Sequence, residues 1–226
     1  MIGSFIFNGV DSSDYLIVNA LPSIFKPEKD ISIIEVPGRD GFLINDLGSY
    51  KSITKSVECT IRDLSQIDYI CSWLTGLGDV VFSNEPDKKY KAVIINQIEF
   101  KRVFVNFHSF IIQFECQPHK YSVDNSIITL TAPGTIYNSG SANSRPIIKV
   151  FGTGAITLTV NGKVVNLTNV VDYVAINSDL MDCYKDTLLK NNDMNGEFPI
   201  LTPGNNTISW VGNCSKIEIT PNCRYI

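Results

Sequence analysis

The sequence predicts a mainly β protein of two domains, with one α-helix in the first domain. Almost all apolar residues fall in short alternating or continuous runs bounded by Gly, Asn, Asp and Pro, which is the pattern of strands and turns. One stretch, residues 63–76, has the three- and four-residue apolar spacing of an amphipathic helix. A length of 226 residues is long for one domain and comfortable for two. Because a helix of about three turns is not stable alone in water, we expect it to pack on a sheet.

The predicted helix has a start signal, an apolar stripe and a stop signal. Asp63 can accept hydrogen bonds from the first free amides, which makes it the expected N-cap. Gly76 can adopt the left-handed conformation that ends a last turn. The stripe expected to face the sheet consists of Leu64, Ile67, Ile70, Cys71 and Leu74.

Strands are predicted on both sides of this helix. Before it they are Phe5–Asn8, Tyr15–Val18, Ile31–Val36, Phe42–Ile44 and Ser52–Arg62, and after it Asp79–Ser83, Lys89–Gln97 and Val103–Gln117. A double-glycine turn, Pro37–Gly41, carries Arg39 and Asp40 at its tip. The last strand is expected to end at Gln117-Pro118-His119. Its core face is predicted from one parity, which contains Phe104, His108, Phe110, Ile112, Phe114 and Cys116.

A polar stretch at residues 122–126 predicts the boundary between a first domain, residues 1–125, and a second, residues 126–226. The second domain reads as a β-sandwich of short strands, with Asn161-Gly162 as a hairpin turn. The predicted strands are Ile127–Leu130, Ile147–Phe151, Ile156–Val160, Val164–Leu167, Val170–Ile176, Ile208–Val211 and Ile217–Thr220. The apolar spacing of Leu180–Leu189 would also fit a helix, but without clear caps we favour strands and turns there.

The charge and hydropathy patterns exclude several classes of protein. A net charge of −4, a pI near 5.2 and scattered basic residues argue against specific nucleic-acid binding. No run approaches the roughly 20 apolar residues of a membrane span, and the start lacks the basic region of a signal peptide. We therefore expect the chain to stay where it is made unless a larger assembly carries it out.

No set of residues predicts catalysis or a bound metal. The six cysteines contain no Cys-x-x-Cys, so we favour free thiols, with Cys214 and Cys223 as the one pair that could flank a hairpin and form a disulfide. His108 and His119 have no nucleophile in a recognisable motif nearby. Trp210 alternates with Ile208, which indicates a core position rather than a sugar-stacking one. The prediction is a non-enzyme without catalytic, cofactor-binding or metal-binding residues.

Several stretches, in sequence order, resemble phage distal tail (Dit) proteins of the short form that lacks inserted carbohydrate-binding modules. In the first half these are Phe5–Gly9, Ser12–Tyr15, Val36–Gly41, Trp73-Leu74, Val81–Asp87, Tyr90–Ala92 and Phe110–Tyr121. In the second half they are Arg145–Ile148, Gly152–Gly154, Asn161-Gly162, Met194–Pro199 and Pro203–Asn206. No single motif is decisive, but the ordered set covers essentially the whole chain.

The resemblance implies a structural hub, without cofactors, at the virion tail tip or baseplate, assembled in the cytoplasm of the bacterial host. It implies an N-terminal split β-barrel with one helix and a C-terminal galectin-like β-sandwich that projects outward. Six copies would close into a ring, with two rings back to back as a further arrangement. The implied partners are the tail tube protein, the tail-tip or tail-associated lysin protein and receptor-binding proteins.

Two hypotheses about surfaces follow. Segments Ile2–Asn8 and Ile31–Ile44 would supply contacts between neighbouring copies, which would also cover free strand edges. The alternative function is a carbohydrate-binding adhesion module that contacts host cell-wall glycans through the second domain. Galectins bind sugar with a histidine–asparagine–arginine strand and a tryptophan, and residues 127–226 contain no histidine. The hub is therefore the favoured function.

Overall fold

The computed structural model describes residues 3–61, 63–104 and 107–226. The chain divides into two compact units, one ending at Val123 and the other beginning at Asp124. Strands dominate both, and the described residues contain one α-helix, so the predicted mainly β fold with a single helix is confirmed.

The N-terminal unit consists of β1 (Phe5–Phe7), β2 (Val10–Asp11), β3 (Ile17–Ala20), β4 (Lys29–Glu35), β5 (Phe42–Tyr50), β6 (Ile53–Ile61), α1 (Ile67–Trp73), β7 (Leu77–Phe82), β8 (Lys88–Ile94), β9 (Lys101–Phe104) and β10 (Phe107–Ser122), with 3₁₀ turns at Ser12–Asp14 and Leu64–Gln66. Its main sheet has the strand order β2-β1-β7-β8-β10-β6-β3, and β9 also pairs with β10. Among the described residues, strands β4 and β5 pair only with each other.

The α-helix, Ile67–Trp73, is shorter than predicted, because Asp63 caps the preceding 3₁₀ turn, Leu64–Gln66, and not the helix itself. Its buried face is also rotated from the prediction. The Asp63 carboxylate accepts a hydrogen bond from the Ser65 amide at 2.9 Å, and Gly76 has a φ of +75°. Cys71 was predicted to be buried and is exposed, whereas Trp73 takes that place in the core. The indole of Trp73 donates a hydrogen bond to the Phe7 carbonyl at 3.0 Å and stacks on Phe5. Trp73 is large and its indole N–H has a hydrogen-bond partner, so burying it is favourable, and the buried face of the helix is centred nearer to Trp73 than predicted. Leu64, in the preceding 3₁₀ turn, is also exposed, which corrects a second member of the stripe.

The core face of β10 is confirmed except at its start. His108, Phe110, Ile112, Phe114 and Cys116 are all buried. Phe104 is exposed, because the predicted single strand is a hairpin in which Phe104 on β9 pairs with Phe107 on β10. Residues 105 and 106 of that predicted strand, like Arg62 of another, lie outside the described residues.

Strand β10 also continues beyond its predicted end. The pairing with β8 shifts register between Cys116 and Lys120 and then resumes to Ser122. Pro118, which lacks an amide donor, lies within that irregularity. Pro118, predicted to end the strand, is instead accommodated in a local irregularity of a strand that continues.

The C-terminal unit contains three long strands where short ones were predicted. Its elements are β11 (Ile128–Leu130), β12 (Gly134–Asn138), β13 (Ile147–Val160), β14 (Lys163–Asn177), β15 (Asp182–Lys185), β16 (Leu188–Leu189), a 3₁₀ turn (Asn191–Asp193), β17 (Met194–Gly196), β18 (Gly204–Thr220) and β19 (Arg224–Tyr225). Gly152, Gly154 and Gly212, which lie outside the predicted short strands, sit at register shifts inside β13 and β18. A Cβ on Gly212 would lie 2.5 Å from the Ala155 carbonyl oxygen, so glycine there permits a close approach of two backbones.

Both halves of these long strands contribute to one core. Ile148 and Leu158 lie on opposite sides of the irregularity in β13, as Ile208 and Ile219 do in β18, and all four belong to one buried cluster. The sheet therefore folds back over a single apolar interior. Residues 180–189 form turns and the short strands β15 and β16, as favoured from the sequence. The likeness of this unit to galectins stays a prediction.

All six cysteines are free thiols, including Cys214 and Cys223. Cys59 and Cys116 are fully buried in the N-terminal core, and burial raises the pKa of both thiols to about 12. They act as small apolar side chains.

Candidate assembly surfaces

Strands β4 and β5 form a hairpin, residues 29–50, that we call the arm. It is a sheet of its own, with Ile33 opposite Ile44 and Ile34 opposite Leu43. Its turn places Gly38 and Gly41 at a φ of +81° each. At about 3.3 Å per residue, the seven residues of β4 extend for roughly 23 Å from the base.

The arm exposes apolar side chains on both faces. Partners across an antiparallel pair share a face, so the register places Ile31, Ile33, Phe42 and Ile44 on one face and Ile34 and Leu43 on the other. All six are exposed, by 38–60%. An isolated two-stranded hairpin is marginally stable in water, and a continuous exposed apolar surface of this kind marks an interaction site.

The base of the arm is tied together by ion pairs. Lys29 contacts Asp46 at 2.5 Å, and Lys51 contacts Glu28 at 2.9 Å. The hydrogen bond with Asp46 raises the pKa of Lys29 and lowers that of Asp46. These pairs are exposed to solvent, so each adds little to stability.

Two segments were expected to contact neighbouring copies, and in the structure one of them is exposed in the arm while the other lies inside the main sheet. Ile31–Ile44 lies in the arm, with Arg39 and Asp40 at its exposed tip. Strand β1, within the other segment, is flanked by β2 and β7 and has no free edge for a neighbour's strand. Strand pairing with a neighbour is therefore excluded for Phe5–Phe7, while other contacts of this segment stay a prediction, and Ile2 lies outside the described residues.

An open groove of about 530 Å³ lies on the sheet of the N-terminal unit, where β8 and β10 separate around Pro118. Ala92, Val93 and Cys116 line it, together with Leu77, which is 82% exposed. Ser52, two residues beyond the arm, is also part of its lining. The groove is thus an apolar hollow beside the arm's own base.

The C-terminal unit has a shallow cleft of about 210 Å³ lined in part by Lys149, Tyr173, Tyr184 and Asp186. The Lys149 ammonium lies 3.9 Å from the centre of the Tyr173 ring. The Tyr173 hydroxyl donates a hydrogen bond to Asp186, which raises the pKa of that tyrosine. The polar groups and the tyrosine face are therefore largely occupied within the chain.

Nothing in the described residues points to metal chemistry or to a membrane-spanning helix. Among residues 3–61, 63–104 and 107–226, no group of three or more His, Cys, Asp and Glu could hold a metal ion. Within the same ranges no helix is long and apolar enough to cross a bilayer. Trp210 is half-buried against the C-terminal core, in line with its alternation with Ile208.

Comparison with known proteins gives a fold and a family. No curated protein matches the chain. Among solved structures, the crystal structure of Dit from phage SPP1, a paradigm of the hub of adsorption apparatus in phages that infect Gram-positive bacteria, is similar over 100% of both chains. The TM-score is 0.77 and the sequence identity 18%, which shows a shared fold. A family model for the phage tail protein RIFT-related domain matches residues 4–116, half of the chain. The predicted kinship with phage tail proteins is thus confirmed, and the chain belongs to the family of phage tail proteins with a RIFT-related domain.

Proposed function

We propose that this protein is the structural hub of a phage tail tip, in which residues 1–125 of six copies close into a ring. The ring would join the tail tube protein to the tail-tip or tail-associated lysin protein and would anchor receptor-binding proteins. The proposal depends chiefly on the arm, because the apolar side chains on both of its faces are exposed and no other described strand pairs with it. The shared fold with the Dit protein of SPP1, itself named as a hub, supports the same function.

The arm and the groove are different surfaces, and this difference favours a ring. A contact between two different patches is head-to-tail, and such contacts close into rings when the rotation between copies is suitable. The groove beside the base of one arm is the receiving surface that we propose for the arm of the next copy. Both surfaces are apolar, and Leu77 would be covered by Ile33 and Ile44 of the neighbour.

Residues 126–226 have no comparable arm among their described elements, and we propose them as a platform that carries partner proteins outward. A glycan-binding function is less well supported. The Lys149 cleft has its carboxylate and aromatic groups engaged within the chain, and Trp210 packs on the core. A glycan array with the purified protein tests this alternative, and binding that is lost in Tyr173→Ala would favour it over a platform alone.

Assembly is tested with negative-stain microscopy and light scattering of the purified chain. Six copies of a 25.1 kDa chain weigh about 151 kDa, six times the chain mass. The expected result is a ring of that mass, or of twice that mass for two rings back to back. The double variant Ile33→Asp and Ile44→Asp should remain folded and lose the ring, because two carboxylates would be buried in an apolar contact. Leu189→Asp, at a 70% exposed site of the C-terminal unit, is the matched control and should keep the ring.

The receiving surface is tested by cross-linking. In a Cys71→Ser background, which removes the exposed native thiol, Ile44→Cys and Leu77→Cys should form a disulfide between copies and yield covalent ladders. Ile44→Cys paired with Leu189→Cys should not. Ladders of equal strength from both pairs would show that the groove is not the receiving surface. Ring formation itself would still be decided by microscopy.

A further inference from the structure

Strand β6 carries a lysine on its core face. Lys55, Val57, Cys59 and Ile61 share one parity and all point into the N-terminal core. Lys55 is 1% exposed, although lysine is almost never fully buried without a partner. A lysine at this position therefore needs an explanation that packing alone does not give.

The Lys55 ammonium sits among three aromatic rings and donates one hydrogen bond. Its Nζ atom lies 4.7 Å from the centre of the Tyr90 ring and 5.6 Å and 5.7 Å from those of Phe25 and Phe82. The same nitrogen donates to the Ser23 carbonyl at 2.9 Å. Two of these partners, Ser23 and Phe25, belong to the segment of residues 22–28 that leads from the sheet into the arm, which we call the arm root.

Other charges around this ammonium are engaged with one another. Glu85 accepts a hydrogen bond from the Tyr90 hydroxyl and pairs with Lys120 at 2.5 Å, both side chains of that pair being only 12% exposed. Although burial works in the opposite direction, these bonds hold the pKa of Glu85 below its usual value. Burial lowers the pKa of Lys55, and the negative charge of Glu85 offsets part of that effect.

The arm root has a second tie beside the lysine. The Asn84 side chain donates a hydrogen bond to the Pro22 carbonyl at 2.9 Å, and Pro22 and Pro27 are buried at the two ends of the segment. Ile24 and Phe25 between them are 57% and 48% exposed. The root is thus a surface segment held to the sheet through its backbone carbonyls and one ring.

A buried ammonium costs folding free energy, and an apolar residue of similar size is often neutral or stabilising in its place. Met could fill the same space but could not donate the hydrogen bond to the Ser23 carbonyl, so the role of the lysine lies in the contacts of its ammonium group. We propose that Lys55 is a positioning residue that ties the arm root to the sheet and so fixes the direction in which the arm leaves toward a neighbouring copy. This inference rests on the proposed ring, since the arm needs a fixed direction only if it meets a partner.

The test compares Lys55→Met with Lys51→Met, which removes an exposed lysine at the arm base. Lys55→Met should keep or raise the midpoint of thermal unfolding, yet amide hydrogen exchange in residues 22–28 should accelerate about tenfold, the effect expected from losing one hydrogen bond to a charged group. Ring assembly should then require about tenfold more protein. Lys51→Met should leave both the exchange and the assembly at wild-type values.

A second variant tests whether faster exchange in residues 22–28 comes from the lost contact with the arm root and not from a disturbed core around Lys55. Phe25→Leu removes a half-exposed ring and should reproduce the faster exchange, whereas Ile24→Val at the adjacent exposed position should not. Unchanged exchange of residues 22–28 in both Lys55→Met and Phe25→Leu would overturn the inference. A large fall in the unfolding midpoint of Lys55→Met would also overturn it, because the lysine would then be a general core residue. If the wild type never formed rings, the proposed function would fail, and the exchange experiment would still decide whether Lys55 holds the root.

Discussion

The β13–β14 hairpin and the arm are both hairpins that close through glycine at positive φ, but they distribute apolar residues in opposite ways. In the first, Ile156, Leu158 and Val160 are buried and the residues between them face outward. In the arm, apolar residues occupy both faces and none of them is buried. A strand pair that buries one face has its partner inside the same chain. One that exposes two apolar faces has to find its partner elsewhere.

The largest expected difference between the two hairpins is in folding stability. Leu158→Ala should lower the free energy of unfolding by about 3 kcal/mol, because it leaves a cavity beneath a fully buried leucine. Ile44→Ala should change it by less than about 0.5 kcal/mol, because that side chain is 60% exposed in the free chain. Urea unfolding of both variants measures the contrast. Comparable losses of stability would mean that the arm packs on its own chain in solution.

A smaller effect is expected at the two turns. Gly162 and Gly38 have φ values of +80° and +81°, and a Cβ at either would meet no other atom within 4 Å. An alanine at either position therefore brings the same strain, about 1 kcal/mol. In Gly162→Ala the strain should appear as lost stability of the C-terminal unit. In Gly38→Ala it should leave the unfolding midpoint unchanged and raise the protein concentration needed for rings about fivefold. A lower midpoint for both variants would contradict the distinction.

The smallest effect is expected at the tip of the arm. The double variant Arg39→Ala and Asp40→Ala removes two exposed charges of opposite sign, so unfolding should not change measurably. Ring assembly, followed by light scattering against protein concentration, should weaken about threefold if the tip reaches the neighbour, since rim charges add little. Identical assembly curves would restrict the contact to the apolar strands of the arm.

Much of the N-terminal unit follows from local signals. The cap at Asp63, the left-handed Gly76 and the buried parity of β10 depend on residue chemistry and spacing that the sequence displays directly. Cys71 and Phe104 were misplaced because tertiary choices decide them. Trp73 is buried in place of Cys71, and the stretch that reads as one strand forms two strands, β9 and β10, that pair with each other.

The assembly surfaces were only partly visible from the sequence. The hypothesis that Ile31–Ile44 contacts a neighbouring copy depends on the family resemblance, since a pattern of apolar residues does not say whether the partner is in the same chain. In the C-terminal unit, the predicted strands end at Phe151 and Val211, just before glycines, because local sequence does not distinguish the end of a strand from a bulge in a longer one. Lys55 carried a usable signal: it stands in phase with three apolar residues of β6.

The most direct test of the central claim is the mass of the chain with and without its arm. Residues 31–45 would be replaced by a short Gly-Asn turn, and light scattering would be measured beside the intact protein over the same range of concentrations. The account predicts rings for the intact chain, and for the shortened one a folded monomer of less than 25.1 kDa. Its unfolding midpoint should equal that of the intact chain at concentrations too low for rings, because ring formation itself stabilises the folded state. The same number of copies in both proteins, whether both form rings or both stay monomers, would contradict it.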